Sequence, residues 1–206
     1  MSDEAPAAWF ERLYRQAAAG EAEIPWDRGG PNPYVAGWFA REGVEGRGRR
    51  ALVVGCGLGD DAEHVAGLGF EVTAFDVAET AVRTARARHP GSAVRYRTAD
   101  LTDPPAQWAG AWDLVVESLT VQSVPRSLRP LVTRHIAGFV APGGTLLLLA
   151  GVLPDGVDEE DGPPWRLRRD EVDAFAAAGL TAADVERFTG DDGRTRWRAV
   201  FSRAAG

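Results

Sequence analysis

Apolar positions along this chain follow two rhythms, and the place where one gives way to the other marks out the fold. Between residues 8 and 18, Trp9, Phe10, Leu13, Tyr14 and Ala17 recur at helical spacing and predict a short amphipathic helix. The segment from Ile24 to Pro33 (IPWDRGGPNP) is too rich in proline and glycine to be helical, and Tyr34 to Arg41 resumes the helical pattern. From residue 51 onward short β-like runs alternate with helical ones. Strands are predicted at Ala51–Val54, Glu71–Phe75, Ala93–Arg97, Trp112–Glu117 and Thr145–Ala150. Helices are predicted after the first strand as far as Gly67 or Gly69, over Ala78–Arg88, and over Leu128–Val140, stopping at Pro142-Gly143-Gly144. That alternation implies a parallel sheet with right-handed crossovers, the run Leu146–Leu149 being buried on both faces.

The tail departs from the alternation. Asp155–Pro164 reads as an acidic loop, and Asp170 as the cap of a helix ending at Gly179. Two β-like runs, Val185–Phe188 and Arg196–Ser202, flank Gly190-Asp191-Asp192-Gly193 as a hairpin. An α/β sheet finished by an antiparallel hairpin is not the plain dinucleotide-binding fold.

The most informative motif is Val53-Val54-Gly55-Cys56-Gly57-Leu58-Gly59-Asp60-Asp61, directly after the first strand. Glycines at alternate positions allow a sharp turn and a close approach of backbone to ligand. A dinucleotide fingerprint would place its third glycine at position 60, which is aspartate here. An acidic pair at a helix start repels a pyrophosphate, whereas a sulfonium ligand such as S-adenosylmethionine tolerates it. The plainer account of Asp60 and Asp61 is that they are first-turn acids favoured by the helix dipole. Asp76 closes the second strand 21 residues after Gly55, the separation at which an acid reaches a ribose beside such a loop.

Composition narrows the chemistry. The chain has 206 residues and 45% hydrophobic content, which predicts one domain, and its formal charge of −7 with pI near 5.0 leaves no basic footprint for nucleic acid. All 23 basic residues are arginine, so lysine Schiff-base chemistry is excluded. Cys56 is the single cysteine, and His64, His89 and His135 lack ligand spacing, so no zinc site is expected. The opening residues show neither a basic start nor an apolar signal core, and the longest apolar run falls short of a membrane span. A cytoplasmic protein is expected.

With these features in order, the chain from about Trp26 onward resembles the class I S-adenosylmethionine-dependent methyltransferases. The resemblance implies a doubly wound, mostly parallel seven-stranded α/β sheet with a C-terminal antiparallel hairpin, residues 1–46 forming a helical lid and 47–206 the cofactor-binding body. It also implies S-adenosylmethionine as cofactor, held by Gly55, Cys56, Gly57, Gly59 and Asp60 of the loop, by Asp76 and Val77 at the ribose, by Asp100 and Leu101 at the adenine edge, and by Glu117. Within the class, PWDRGGPNP followed by GCGLGDD is similar to the thiopurine and thiol methyltransferase group, which implies that Trp26 lies against the methionine end of the cofactor. Packing between lid and body is the equal alternative for Trp26.

No general base stands out. Glu117, just past the fourth strand, could meet the cofactor's ammonium or act as a base; Arg129 could orient an anionic acceptor, although a surface arginine ahead of Pro130 is the simpler account. His135 lies in an apolar helix pattern and reads as packed, and Cys56 as a small residue that fits the turn. The absence of an evident base favours a soft acceptor such as a thiol. Three other readings stay open: an oxygen or nitrogen methyltransferase of natural-product metabolism, an NAD(P)-dependent reductase, and a noncatalytic cofactor-binding protein. The acceptor is expected to be a small molecule, with no nucleic-acid or membrane partner and the oligomeric state open.

Overall fold

A computed structural model describes residues 6–158 and 162–206. Seven strands form one sheet in the order β3-β2-β1-β4-β5-β7-β6. The chain divides into two compact units, one running to Asp100 and the other from Leu101 to Gly206.

The first unit holds helices α1 (Pro6–Ala18), α2 (Pro33–Glu42), α3 (Asp60–Gly67) and α4 (Glu79–Arg88), with strands β1 (Arg50–Val54), β2 (Glu71–Asp76) and β3 (Arg95–Thr98). Its strands are parallel, Ala51 pairing with Val72 and Thr73 with Arg95. Residues 51–54 and 72–76 are buried without a break, which is why these strands read as continuous apolar runs. Helix α2 starts where Asn32 accepts the Tyr34 N–H at 3.1 Å and Pro33 supplies a preset φ; it stops at Gly43 in the left-handed region. Helix α1 packs on α4, and the Glu11 carboxylate accepts from the Thr80 N–H (3.0 Å) and hydroxyl (2.6 Å), capping the start of α4 from a distant part of the chain.

The second unit holds β4 (Trp112–Ser118), α5 (Arg129–Phe139), β5 (Val140–Gly151), α6 (Arg169–Ala177), β6 (Thr181–Thr189) and β7 (Thr195–Ser202). β4 and β5 are parallel, while β7 runs antiparallel to both β5 and β6. The hairpin turns at Gly190–Gly193, where the Gly193 N–H meets the Gly190 carbonyl at 2.9 Å. Leu146 to Leu149 are each at most 1% exposed, and Phe175 of α6 stacks 5.7 Å from Phe201 of β7.

Two boundaries differ from the sequence reading. The Pro142-Gly143-Gly144 turn does not precede the fifth strand but lies inside it as an irregularity: pairing passes from Trp112–Val140 to Leu114–Thr145. A Cβ on Gly144 would come within 2.8 Å of the Trp112 carbonyl oxygen, so the two backbones can approach only at glycine. Asp170 is not the cap of α6. The helix is entered at Arg168, whose N–H is taken by the Glu171 carboxylate at 2.8 Å, the reach-back half of a capping box. The acidic loop expected at 155–164 lies partly outside the described residues.

Gly59 supplies a stability test. Its φ is +95°, and a Cβ there would sit 2.4 Å from the Tyr96 hydroxyl and 3.0 Å from its ring, whereas Gly29 (φ +67°) faces open space. Gly59→Ala is expected to cost on the order of 3 kcal/mol in chemical denaturation, strain and overpacking adding, against roughly 1 kcal/mol for Gly29→Ala. Equal losses would show that the Tyr96 contact contributes nothing.

Candidate functional site

The first strand delivers the chain into a loop whose three glycines all have positive φ: Gly55 (+59°), Gly57 (+52°) and Gly59 (+95°). The turn is tied down from both sides. Cys56 donates its N–H to the Phe75 carbonyl at 2.8 Å, continuing the ladder between β1 and β2, and Gly59 donates to the Cys56 carbonyl at 2.9 Å. Asp76, the last residue of β2 and only 8% exposed, accepts the Gly57 N–H on one oxygen and the Ala78 N–H on the other, each at 2.9 Å. Burial raises its pKa above the ordinary aspartate value, opposed by these backbone donors and by the Val77 N–H. Each carboxylate oxygen still has a lone pair, so Asp76 can serve the loop and a ligand diol together.

The glycines are not equivalent. The space beside Gly59 is filled by Tyr96, whose hydroxyl donates to the Glu63 carboxylate at 2.5 Å; the missing side chain there serves packing. Gly57 lies instead beneath the N-terminal segment, and a Cβ on it would come 3.0 Å from the Tyr14 hydroxyl and 3.8 Å from the Trp26 indole nitrogen. Trp26 is half-buried in an aromatic group with Phe10 and Tyr14, ring centroids 5.9 and 6.0 Å away, and its N–H donates to the Tyr14 hydroxyl at 2.9 Å. It therefore anchors the segment to the loop, and its indole edge reaches the loop itself. The buried Cys56 thiol is pushed up in pKa by desolvation, which fits an inert filler of the turn.

The acidic pair turns toward the N-terminal segment. Asp61 accepts the Asn32 N–H at 2.7 Å. Asp60 lies 3.4 Å from Arg88 and 3.7 Å from His89, and Arg88 in turn makes two contacts with Asp27, at 3.0 and 2.8 Å. The Arg88 guanidinium holds the Asp27 carboxyl below its usual range. These groups are about a third exposed, so the bridge adds at most about 1 kcal/mol. Beside it lies an open depression of about 700 Å³ lined by Tyr14, Leu58, Asp60 and Arg88 among others. Val77 is half-buried after β2, and Asp100 ends the unit exposed.

Three further candidates belong to the second unit. Leu101 is 7% exposed, and its carbonyl is bonded to His135 Nδ1 at 2.8 Å, which gives His135 the packed role expected of it. Glu117 lies within β4 rather than past it and is wholly buried. One of its oxygens accepts the N–H groups of Thr120 (2.6 Å) and Val121 (2.8 Å); the other, Oε2, has no hydrogen-bond partner among the described residues. Burial pushes its pKa up to about 7, against the lowering effect of those N–H groups and of Arg129. Leu119, two residues on, has a left-handed φ of +64°. Arg129 is not a surface residue. It is 4% exposed, with its guanidinium on the Glu171 carboxylate and the Trp165 carbonyl, so its charge is committed within the fold. Arg126 joins the same carboxylate at 3.0 Å. Sequence reasoning missed Glu171 and the hydroxyl of Tyr14, the latter because it sits in an apolar stripe and counts there as core.

The fold is that of class I methyltransferases. Residues 51–144 match the family described as a methyltransferase domain. The ubiquinone biosynthesis O-methyltransferase of Xanthomonas campestris pv. campestris (strain B100) is 37% identical over 136 residues, 60% of this chain and 54% of that protein; the chain spans about half the length of the curated relatives it matches. Among solved structures, one described by the conversion of a disulfide bond into a thioacetal group during echinomycin biosynthesis superposes with TM-score 0.75 and 22% identity, covering 95% of this chain and 93% of the other. The 1,6-didemethyltoxoflavin-N1-methyltransferase of Burkholderia thailandensis, solved with its namesake compound and S-adenosylhomocysteine, gives 0.69 and 18% over 99% and 92%. No helix among the described residues is long and apolar enough to cross a membrane.

Glu117 yields a pH test that needs no ligand. Its folded pKa of about 7 lies above the ordinary 4.5, so the folded state binds the proton more tightly. The stabilisation is complete below pH 4.5 and is lost as pH rises through 7. Glu117→Gln should flatten the stability profile between pH 5 and 8 in urea titrations; a mutant profile parallel to the parent's would contradict this assignment.

Proposed function

We propose that this chain is an S-adenosylmethionine-dependent methyltransferase acting on a small-molecule acceptor. The observation that carries the reading is Asp76: a buried carboxylate at the end of β2 that also holds the Gly57 N–H, inside the segment that matches a methyltransferase domain. Gly55, Cys56, Gly57 and Gly59 would present backbone to the ligand, Asp76 would accept from the ribose hydroxyls with Val77 beside it, Asp100 and Leu101 would serve the adenine, and Trp26 the methionine end. When bound, the cofactor supplies a methyl group on an electrophilic sulfonium. Asp60 would serve the ligand from the start of α3 while also bridging to the N-terminal segment through Arg88. Residues 1–46 would serve as the lid of the site.

For the acceptor, we favour an oxygen. The curated relative named above is an O-methyltransferase, and an alcohol or phenol benefits from a base. Glu117 has the attributes of one: a proton affinity balanced near neutrality and an oxygen with no partner among the described residues. A thiol or other soft nucleophile is the second reading, favoured by the complete burial of Glu117, because a thiolate needs no base.

Calorimetry with S-adenosylhomocysteine and with NADH tests the cofactor: the first should bind, and Asp76→Asn should weaken it by roughly a hundredfold as charged hydrogen bonds are lost. Binding of NADH alone would overturn the reading. Methyl transfer from labelled cofactor to a panel of phenols, alcohols, amines and thiols tests the acceptor. Turnover on a phenol or alcohol, reduced by about 10² or more in Glu117→Gln, is expected; turnover confined to thiols and indifferent to that substitution would establish the second reading.

A further inference from the structure

The Tyr14 hydroxyl is a buried donor whose proton meets no acceptor among the described residues. Tyr14 is 3% exposed, and its single hydrogen bond among the described residues is the one it accepts from the Trp26 indole N–H at 2.9 Å. An indole nitrogen cannot accept, so the phenolic proton must point elsewhere. The hydroxyl lies over Gly57, 3.0 Å from where that residue's Cβ would be, on the face of the loop that the absent side chain leaves open. A buried O–H without an acceptor is costly, and such groups in native structures mark a missing partner.

Resting on the cofactor reading above, we infer that Tyr14 is a ligand-binding residue whose hydroxyl donates to the carboxylate of the cofactor's amino-acid end. The argument is one of polarity. Asp76 can only accept, so it takes the donors of the ligand, its ribose hydroxyls; Tyr14 offers only a donor, so it takes an acceptor. The carboxylate is the one charged, strong acceptor of an S-adenosyl amino acid; its other groups that can only accept, the ribose ring oxygen and the adenine ring nitrogens, are neutral and belong to the nucleoside. Burial and the neighbouring Asp76 charge raise the pKa of Tyr14, so the phenol remains a donor throughout the working range. Trp26 is thereby a positioning residue, fixing the rotation of the Tyr14 O–H by occupying its lone pair.

The test compares S-adenosylhomocysteine with 5′-methylthioadenosine, which keeps the nucleoside and the thioether but lacks the amino-acid end, by calorimetry on the full chain. Tyr14→Phe should weaken S-adenosylhomocysteine about tenfold or more, as expected for a hydrogen bond to a charged group, and leave methylthioadenosine unchanged. Trp26→Phe should give a smaller loss with the same selectivity. Unchanged S-adenosylhomocysteine binding in Tyr14→Phe, or equal weakening of both ligands, would overturn the assignment while leaving the cofactor reading intact. Failure of the parent chain to bind either ligand would overturn both. Thermal unfolding of each variant identifies any loss that is merely structural.

Discussion

A single buried carboxylate organises the first unit. Asp76 ends a strand at the point where two loops with no regular pairing begin, and its two oxygens take one N–H from each: Gly57 of the glycine turn and Ala78 at the start of α4. Removing a charge from water is unfavourable, and the upward pKa shift shows that burial outweighs the donors supplied by the protein. The carboxylate keeps that position because it is what holds the strand end, the turn and the helix start in register. The N-terminal segment then has a fixed surface to cover: Tyr14 and Trp26 rest where Gly57 lacks a side chain, and Glu11 caps α4.

The elements were largely legible in the sequence because their burial is local in origin. β1, β2, β4 and the leucine run of β5 announce themselves as apolar stretches, and the glycine loop is located by the positive φ that its spacing requires. Individual side chains were less legible wherever their partners are far away in sequence. Arg129 reads as a surface residue until Glu171, 42 positions on, is seen to meet it. The packing of Gly59 against Tyr96, 37 positions on, and the ion pair of Asp60 with Arg88 were hidden in the same way. The Pro142–Gly144 irregularity was hidden for a similar reason: nothing local says that the carbonyl of Trp112 passes within reach of Gly144.

Near the loop, Gly59, Asp60 and Asp61 make internal attachments, to Tyr96, Arg88 and Asn32, that hold the loop in shape. Conversely, a tyrosine counted as core retains a polar function. The same residue can satisfy an apolar periodicity with its ring and a binding site with its tip.

The attachment of the N-terminal segment has two parts of different physical character. The inner part is aromatic packing of the half-buried Trp26 on the buried Tyr14. The outer part is the Asp27–Arg88–Asp60 bridge, about a third exposed and thus open to counterions, whose screening length is about 8 Å at physiological ionic strength. Dissolved salt therefore acts on one and spares the other. As ionic strength rises, the stretch from Asp27 onward slackens while Trp26 stays seated, so the solvent, acting outside any binding event, sets how tightly the outer margin of the segment is held.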